Sequence, residues 1–257
     1  TIWENIREHY YLIANFIQRD LRLKYRNSIL GYFWSLLEPL MLSGVYFVLF
    51  VIIRGSPEPN YPLWVIIVVI CWGHFSQSLN GSITSLTDNS GLIKQVYFPR
   101  EIFAITKVGS SLVIASLGLL VSIPLMYILN IQPNENLLMV PLGLIMICML
   151  SLGVGLLLAC LNAVNRDIEH FFRFVTRAGF FLSPIMWTIE MVPASLEKYI
   201  MANPMVVPIT MIRNGIDGRS LGIDYIFVAY SSLFCIISFL FGCMVFKHYE
   251  SRAVKKL

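Results

Sequence analysis

Charged residues are scarce in this 257-residue chain, where Asp, Glu, Lys and Arg together make up 13%. Soluble domains carry about 25%. With 57% apolar residues, too little polar surface remains to cover a water-soluble body of this size. The same composition excludes a disordered chain, because so many apolar residues can be buried. Cysteines spaced for disulfides, metals or redox chemistry are also missing. Cys71, Cys148, Cys160, Cys235 and Cys243 are scattered through apolar runs and fit small buried hydrophobes. No Gly-x-x-x-x-Gly-Lys-Ser/Thr loop is present to cradle phosphates, and no Gly-x-Ser-x-Gly elbow. The four histidines, His9, His74, His170 and His248, are too far apart for a His-Glu-x-x-His metal pair. Neither a self-contained catalytic site nor a cofactor or metal site of its own is expected, and no cleavable signal sequence is visible.

What the chain does have is long apolar runs, which make it an integral membrane protein. A crossing helix needs about 20 predominantly apolar residues. Uncharged stretches run over 61–87, 108–134, 136–165 and 225–246, and 27–53 is interrupted only by Glu38. A sixth stretch, 168–189, carries Glu169, Arg173 and Arg177 at a spacing of four, so they share one helical face and can pair. The uncharged segment 199–212 holds Pro204 and Pro208 and is too short to cross; it suits a re-entrant or interfacial hairpin. Gly153 and Gly155, in an apolar run, fit close helix packing.

Charge bias tests this count. With six spans and the N-terminus inside, only Arg54, Lys198, Arg213 and Arg219 of the 19 basic residues fall outside, as the positive-inside rule requires. Five or seven spans would move the basic C-terminal tail outside. The expected fold is therefore all-α and membrane-integral. Its spans cover 27–53, 61–87, 106–130, 137–162, 168–189 and 223–247, with both ends cytoplasmic. Before the first span, Ile2, Ile6, Tyr10, Ile13, Ile17 and Leu21 form one helical stripe. An amphipathic helix over 1–26, carrying Arg19, Arg22 and Arg26, can lie on the inner leaflet or pack against protein.

Two further features bear on function. Glu38, followed by Pro39, is the one clear ionisable residue deep in a span. Lying about 12 residues above Arg26, at about 1.5 Å per residue, it is expected near mid-membrane, and it fits a translocation path, a subunit seam or a structural carboxyl beside a kink. Aromatics cluster at Tyr32, Phe33 and Trp34, at Tyr46 and Phe47, and from Phe171 to Trp187. By themselves they fit core packing and interfacial belts as well as sugar stacking.

The segment Arg19-Asp20-Leu21-Arg22-Leu23-Lys24-Tyr25-Arg26-Asn27-Ser28-Ile29-Leu30-Gly31-Tyr32-Phe33-Trp34, followed by Glu38-Pro39, resembles the opening of ABC-2-type permeases that export O-antigen, capsule and teichoic acid chains. Phe98-Pro99-Arg100-Glu101, Asn165-Arg166-Asp167-Ile168, Ser183-Pro184-Ile185, Asn203-Pro204 with Arg213 beyond, and Phe246-Lys247-His248-Tyr249-Glu250 match the same family in order. The resemblance implies one transmembrane domain of six spans, acting as a homodimer in the cytoplasmic inner membrane. It also implies two copies of a separate ATPase that bind ATP and Mg, a lipid-linked polysaccharide as substrate, and no nucleic acid. The loop 88–101 would hold a coupling helix, with Lys94, Arg100 and Glu101 as polar contacts to the ATPase and Arg166-Asp167 as a smaller one. The segment 190–219 would form short gate helices. Along the translocation path the expected residues are Tyr32, Trp34, Glu38, Phe180, Phe181 and Trp187. The alternative is an ABC-2 permease exporting a drug or another small amphiphile. A membrane enzyme would need clustered His, Asp or Glu at a membrane face, and none is evident.

Overall fold

The computed structural model describes residues 2–54, 60–96 and 99–256. Phe98 and the side chains of Ile2 and Arg54 lie outside the described residues. Among these residues the chain is helical throughout, with no strand. The helices are α1 (Ile2–Glu8), α2 (Tyr10–Lys24), α3 (Trp34–Arg54), α4 (Tyr61–Asp88), α5 (Ser90–Gln95), α6 (Glu101–Leu119), α7 (Ser122–Ile128), α8 (Met139–Asn162), α9 (Asp167–Leu182), α10 (Ala194–Met201), α11 (Val206–Asp217) and α12 (Tyr225–Val254).

Five segments are long and apolar enough to cross a bilayer: Gly31–Leu49, Tyr61–Asp88, Glu101–Ile128, Glu135–Asn162 and Tyr225–Val254. They correspond to the five runs read from composition. The sixth expected span differs. Helix α9 stops at Leu182 after 16 residues, a length of about 24 Å. The reason is Pro184: its ring disfavours helical geometry at the residue before it, and Ser183 is extended at φ −99°, ψ 155°. The expected pairing on this helix does form, with Glu169 Oε1 3.7 Å from Arg173.

Helix α4 is the axis of the bundle. Leu63 to Trp72 are all buried, because α3, α6, α8 and α11 surround this half of the helix. Three apolar clusters divide the interior of the described residues, the third a small one of Leu79, Ile83 and Leu158 between α4 and α8. The largest joins the first half of α4 with α8, α11 and the α6–α7 region. The second ties Leu86, Ala104, Leu156, Ala159, Phe246 and Ala253 together where α4, α8 and α12 end and α6 begins. Small residues set the closest approaches, as membrane helices require when lipid and side chain are equally apolar. A Cβ on Gly242 would stand 2.9 Å from Gly153 Cα, and one on Gly153 would stand 2.6 Å from Phe239 Cα. Gly155 lies against Ser82 of α4 in the same way. The obstacle at Gly242 is backbone, which cannot rotate away. Gly242→Leu is therefore expected to cost at least about 3 kcal/mol, the top of the usual overpacking range. Thermal unfolding in detergent checks this, and an unchanged midpoint would contradict the α8–α12 contact.

The segment too short to cross folds as α10, a turn at Asn203-Pro204, and α11. Helix α11 is buried along nearly its whole length. Gly143 lets its Ile212 approach α8, and Gly215 lets it approach the Asn136 carbonyl. The N-terminal stripe packs against protein: Ile13 is buried, Phe16 stacks on Phe103 at 5.8 Å, Ile17 lies on Gly109, and Asp20 Oδ2 is 2.8 Å from Lys107 Nζ. By contrast, α3 and α12 leave Met41, Val45 and Val48, and Ile237, Leu240 and Met244, uncovered. Apolar faces of this extent are surfaces for lipid or another subunit.

Candidate functional site: an aromatic and polar cleft

A cleft of about 700 Å³ opens between α2, α3, α4, α6 and α9. Part of its lining is an aromatic cluster. Tyr46 of α3 lies 5.7 Å from Phe180 of α9, Trp72 of α4 meets Phe180 edge-on at 6.3 Å, and Phe180 meets Phe181 at 5.3 Å. The same helices, with the end of α2, also bring polar groups to the lining: Lys24, Glu38, Gln77 and Arg177. Lys24 Nζ donates to Gln77 Oε1 at 2.8 Å. Partial burial lowers the Lys24 pKa from its ordinary value, and the negative charge of Glu38 opposes that shift. Deeper in, His74 Nδ1 lies 3.1 Å from Ser111 Oγ and 3.2 Å from Ser78 Oγ, while Nε2 lies 3.3 Å from Cys148 Sγ. This buried imidazole fastens α4 to α6 and α8.

Of the residues expected along a translocation path, the structure brings Glu38, Phe180 and Phe181 to this cleft. Tyr32 reaches it indirectly, its ring 4.9 Å from that of Tyr25, which does line it. Trp34, exposed at the start of α3, and Trp187, in the loop after α9, are not among its lining residues. Glu38 sits in the second turn of α3 beside Lys24, about 6 Å along that helix. It is not half-way up, because the chain turns between α2 and α3. Asn27 and Gly31 have φ of 60° and 50°, so these residues do not add helical rise. Sequence reasoning passed over Lys24, Tyr25, Trp72, His74 and Gln77 as lining residues. The available signal was the polar run Gly73-His74-Phe75-Ser76-Gln77 inside an otherwise apolar span, since polar groups in such a span need a partner or a cavity.

The proposed coupling residues gather at the basic end. Lys94 is on exposed α5, whose Ile93 anchors it on the second cluster. Arg166 and Asp167 are exposed in the α8–α9 turn, where Asn165 Oδ1 accepts from the Asp167 amide at 3.0 Å. Glu101 is different: it is fully buried, accepting from Lys247 Nζ at 2.9 Å and from Asn5 Nδ2 at 2.7 Å. Arg100 lies 3.8 Å from Glu250. Arg19 pairs with Asp20 at 2.9 Å and covers the Phe16 ring at 4.6 Å; Arg22 and Arg26 are exposed.

Long apolar helices and a docked amphipathic helix thus enclose a wide cleft of mixed chemistry. A family model described as ABC-2 type transporter matches residues 11–216, and the chain belongs to that family. It is similar over nearly its whole length to permeases of polysaccharide export. The O-antigen export system permease protein RfbA of Klebsiella pneumoniae is 26% identical over 246 residues, covering 94% of this chain and 93% of that protein. RfbA of Myxococcus xanthus is 27% identical, covering 78% and 79%. The polysialic acid transport protein KpsM of Escherichia coli is 22% identical, covering 90% and 91%.

Proposed function

We propose that this chain is the permease subunit of an ABC exporter that moves a lipid-linked cell-surface polysaccharide across the cytoplasmic membrane. Two copies form the conduit, and a separate ATPase, bound in two copies with ATP and Mg, supplies the work. The observation that carries this reading is the cleft, whose lining combines Tyr46, Trp72, Phe180 and Phe181 with Lys24, Glu38, Gln77 and Arg177. A hydrated polymer exposed to lipid would leave many hydroxyls without hydrogen bonds, at several kcal/mol each. A protein-lined path removes that cost, provided each contact is weak enough to release. Aromatic faces offer apolar stacking that tolerates a shift of register, and the polar lining groups replace water.

In this reading α9 completes the sixth span with the loop beyond it, α10 and α11 act as the gate at the non-cytoplasmic mouth, and the basic end faces the cytoplasm. ATP binding closes the partner dimer and pushes on α5, and the packed helices shift as rigid bodies. Lys94→Glu on α5 is expected to leave hydrolysis intact while lowering export by about tenfold, the effect of losing about 1.4 kcal/mol of coupling. Unchanged export would remove α5 from the coupling path. The test of the whole reading is co-purification with the cognate ATPase. A stable assembly whose hydrolysis responds to a lipid-linked glycan supports it; hydrolysis that responds to small amphiphiles and not to the glycan overturns it.

A further inference from the structure

A second, smaller pocket of about 300 Å³ lies at the end of the bundle opposite α5. It is formed by the first turn of α4, the loop ending at Thr188, the end of α11 and the turn that follows it. Its lining is unlike that of the cleft. Arg213 and Arg219 converge on Trp64, with Thr188, Asn214 and Ser220 completing the wall. The Arg219 guanidinium carbon is 4.4 Å from the Trp64 ring centre, and that of Arg213 is 5.8 Å from it. Arg213 is only 6% exposed, and its Nε donates to Asn214 Oδ1 at 3.3 Å. Arg219 Nε is 2.7 Å from Asp217 Oδ2, while Asp217 Oδ1 accepts from Asn60 Nδ2 at 2.7 Å. Asp217 is buried and is not among the lining residues.

Of the four basic residues expected outside by charge bias, two share this one small space. Guanidinium groups present planar forks of donors that match phosphate oxygens. The indole fixes them in place by stacking, and the Thr188 and Ser220 hydroxyls add donors that rotate to suit. The volume is larger than a bare phosphate needs and admits the glycerol or sugar unit that carries it.

We propose that this pocket is a binding site for a phosphate ester, held by Arg213 and Arg219 beside Trp64. The inference does not depend on which cargo the permease exports. The phosphate can come from a water-borne ester or from the headgroup of a phospholipid, and two measurements separate these sources. Titration calorimetry of the purified full chain in detergent uses glycerol 3-phosphate as the probe. Native mass spectrometry of the same protein reads retained phosphatidylglycerol.

Arg219→Gln is expected to weaken binding by about tenfold, the loss of one charge-assisted contact. Arg219→Lys keeps a cation beside buried Asp217 and so protects the fold; it is expected to weaken binding several-fold because the fork is lost. Lys198→Gln, on exposed α10, removes equal charge from the same end and should change nothing. Saturable glycerol 3-phosphate binding with this pattern supports the site and assigns it a water-borne ester. Phosphatidylglycerol retention with this pattern, without calorimetric binding, supports the site and assigns it a headgroup. Absence of both, or affinities unmoved by either Arg219 variant, or an equal fall in Lys198→Gln, overturns the proposal.

Discussion

Lys247→Met is expected to destabilise the chain by about 3 kcal/mol, the lower end of the cost of removing one partner from a buried ion pair. Its partner Glu101 is fully buried at the first turn of α6. Glu101 Oε1 takes the 2.9 Å contact from Lys247 and the 2.7 Å donation from Asn5, while Oε2 has no hydrogen-bond partner among the described residues. Deleting the cation leaves that carboxylate dependent on one amide. The lower end applies because the Lys247 side chain is about a third exposed, so water moderates the loss. Thermal unfolding in detergent measures it. The double substitution Glu101→Leu with Lys247→Met is expected to recover most of the stability, since the buried carboxylate leaves with its partner and Glu250, which also lies 3.6 Å from Lys247, keeps Arg100 at 3.8 Å. Equal melting temperatures for Lys247→Met and the parent would mean that the pair does not hold α6 to α12.

The same pair shows where reading the sequence stops. Its acid and its base are 146 positions apart, and the Asn5 contact spans 96. Local periodicity records which face of a helix is apolar, not which distant residue that face meets. Glu101, beside Arg100 in a short loop, therefore looked like a surface contact. What depends on local chemistry was legible. The five membrane-long helices follow from run length, the shortness of α11 from a run too short and too proline-rich to cross, and the Gly153 and Gly155 contacts from small residues in an apolar helix; that α11 is buried does not. Ile13 and Ile17 were legible as a stripe, although it took the structure to show Phe103 and Gly109 beneath them. The end of α9 was legible too, in Pro184, but hydropathy continues past it to Ile189 and outweighed the proline. In the cleft, Phe180 and Phe181 stood out as aromatics in a helix that also carries charge. Trp72 and Gln77 did not, because α4 is apolar enough to conceal a polar run.

On the export reading, Phe180→Ala with Phe181→Ala lowers the export rate by between about fivefold and a hundredfold. Each ring is assigned a stacking contribution of about 0.5–1.5 kcal/mol, and about 1.4 kcal/mol corresponds to a tenfold change in rate. These two rings suit the test better than Trp72. Trp72 is buried against Phe75 and Phe180, so its truncation would weaken the fold as well as the path. Phe181 is exposed, and both phenylalanines line the cleft. Phe174→Ala is the matched control, because it removes an exposed ring from the same helix that does not line the cleft. Phe181→Tyr retains the ring and is expected to export near the parent rate. Surface polymer gives the readout, with co-purified ATPase and melting temperature showing that assembly and fold persist. Stacking predicts a loss confined to the cleft pair and restored by Tyr. A loss of equal size in Phe174→Ala would instead indicate that α9 tolerates no change, and undiminished polymer in the cleft pair would remove its rings from the path.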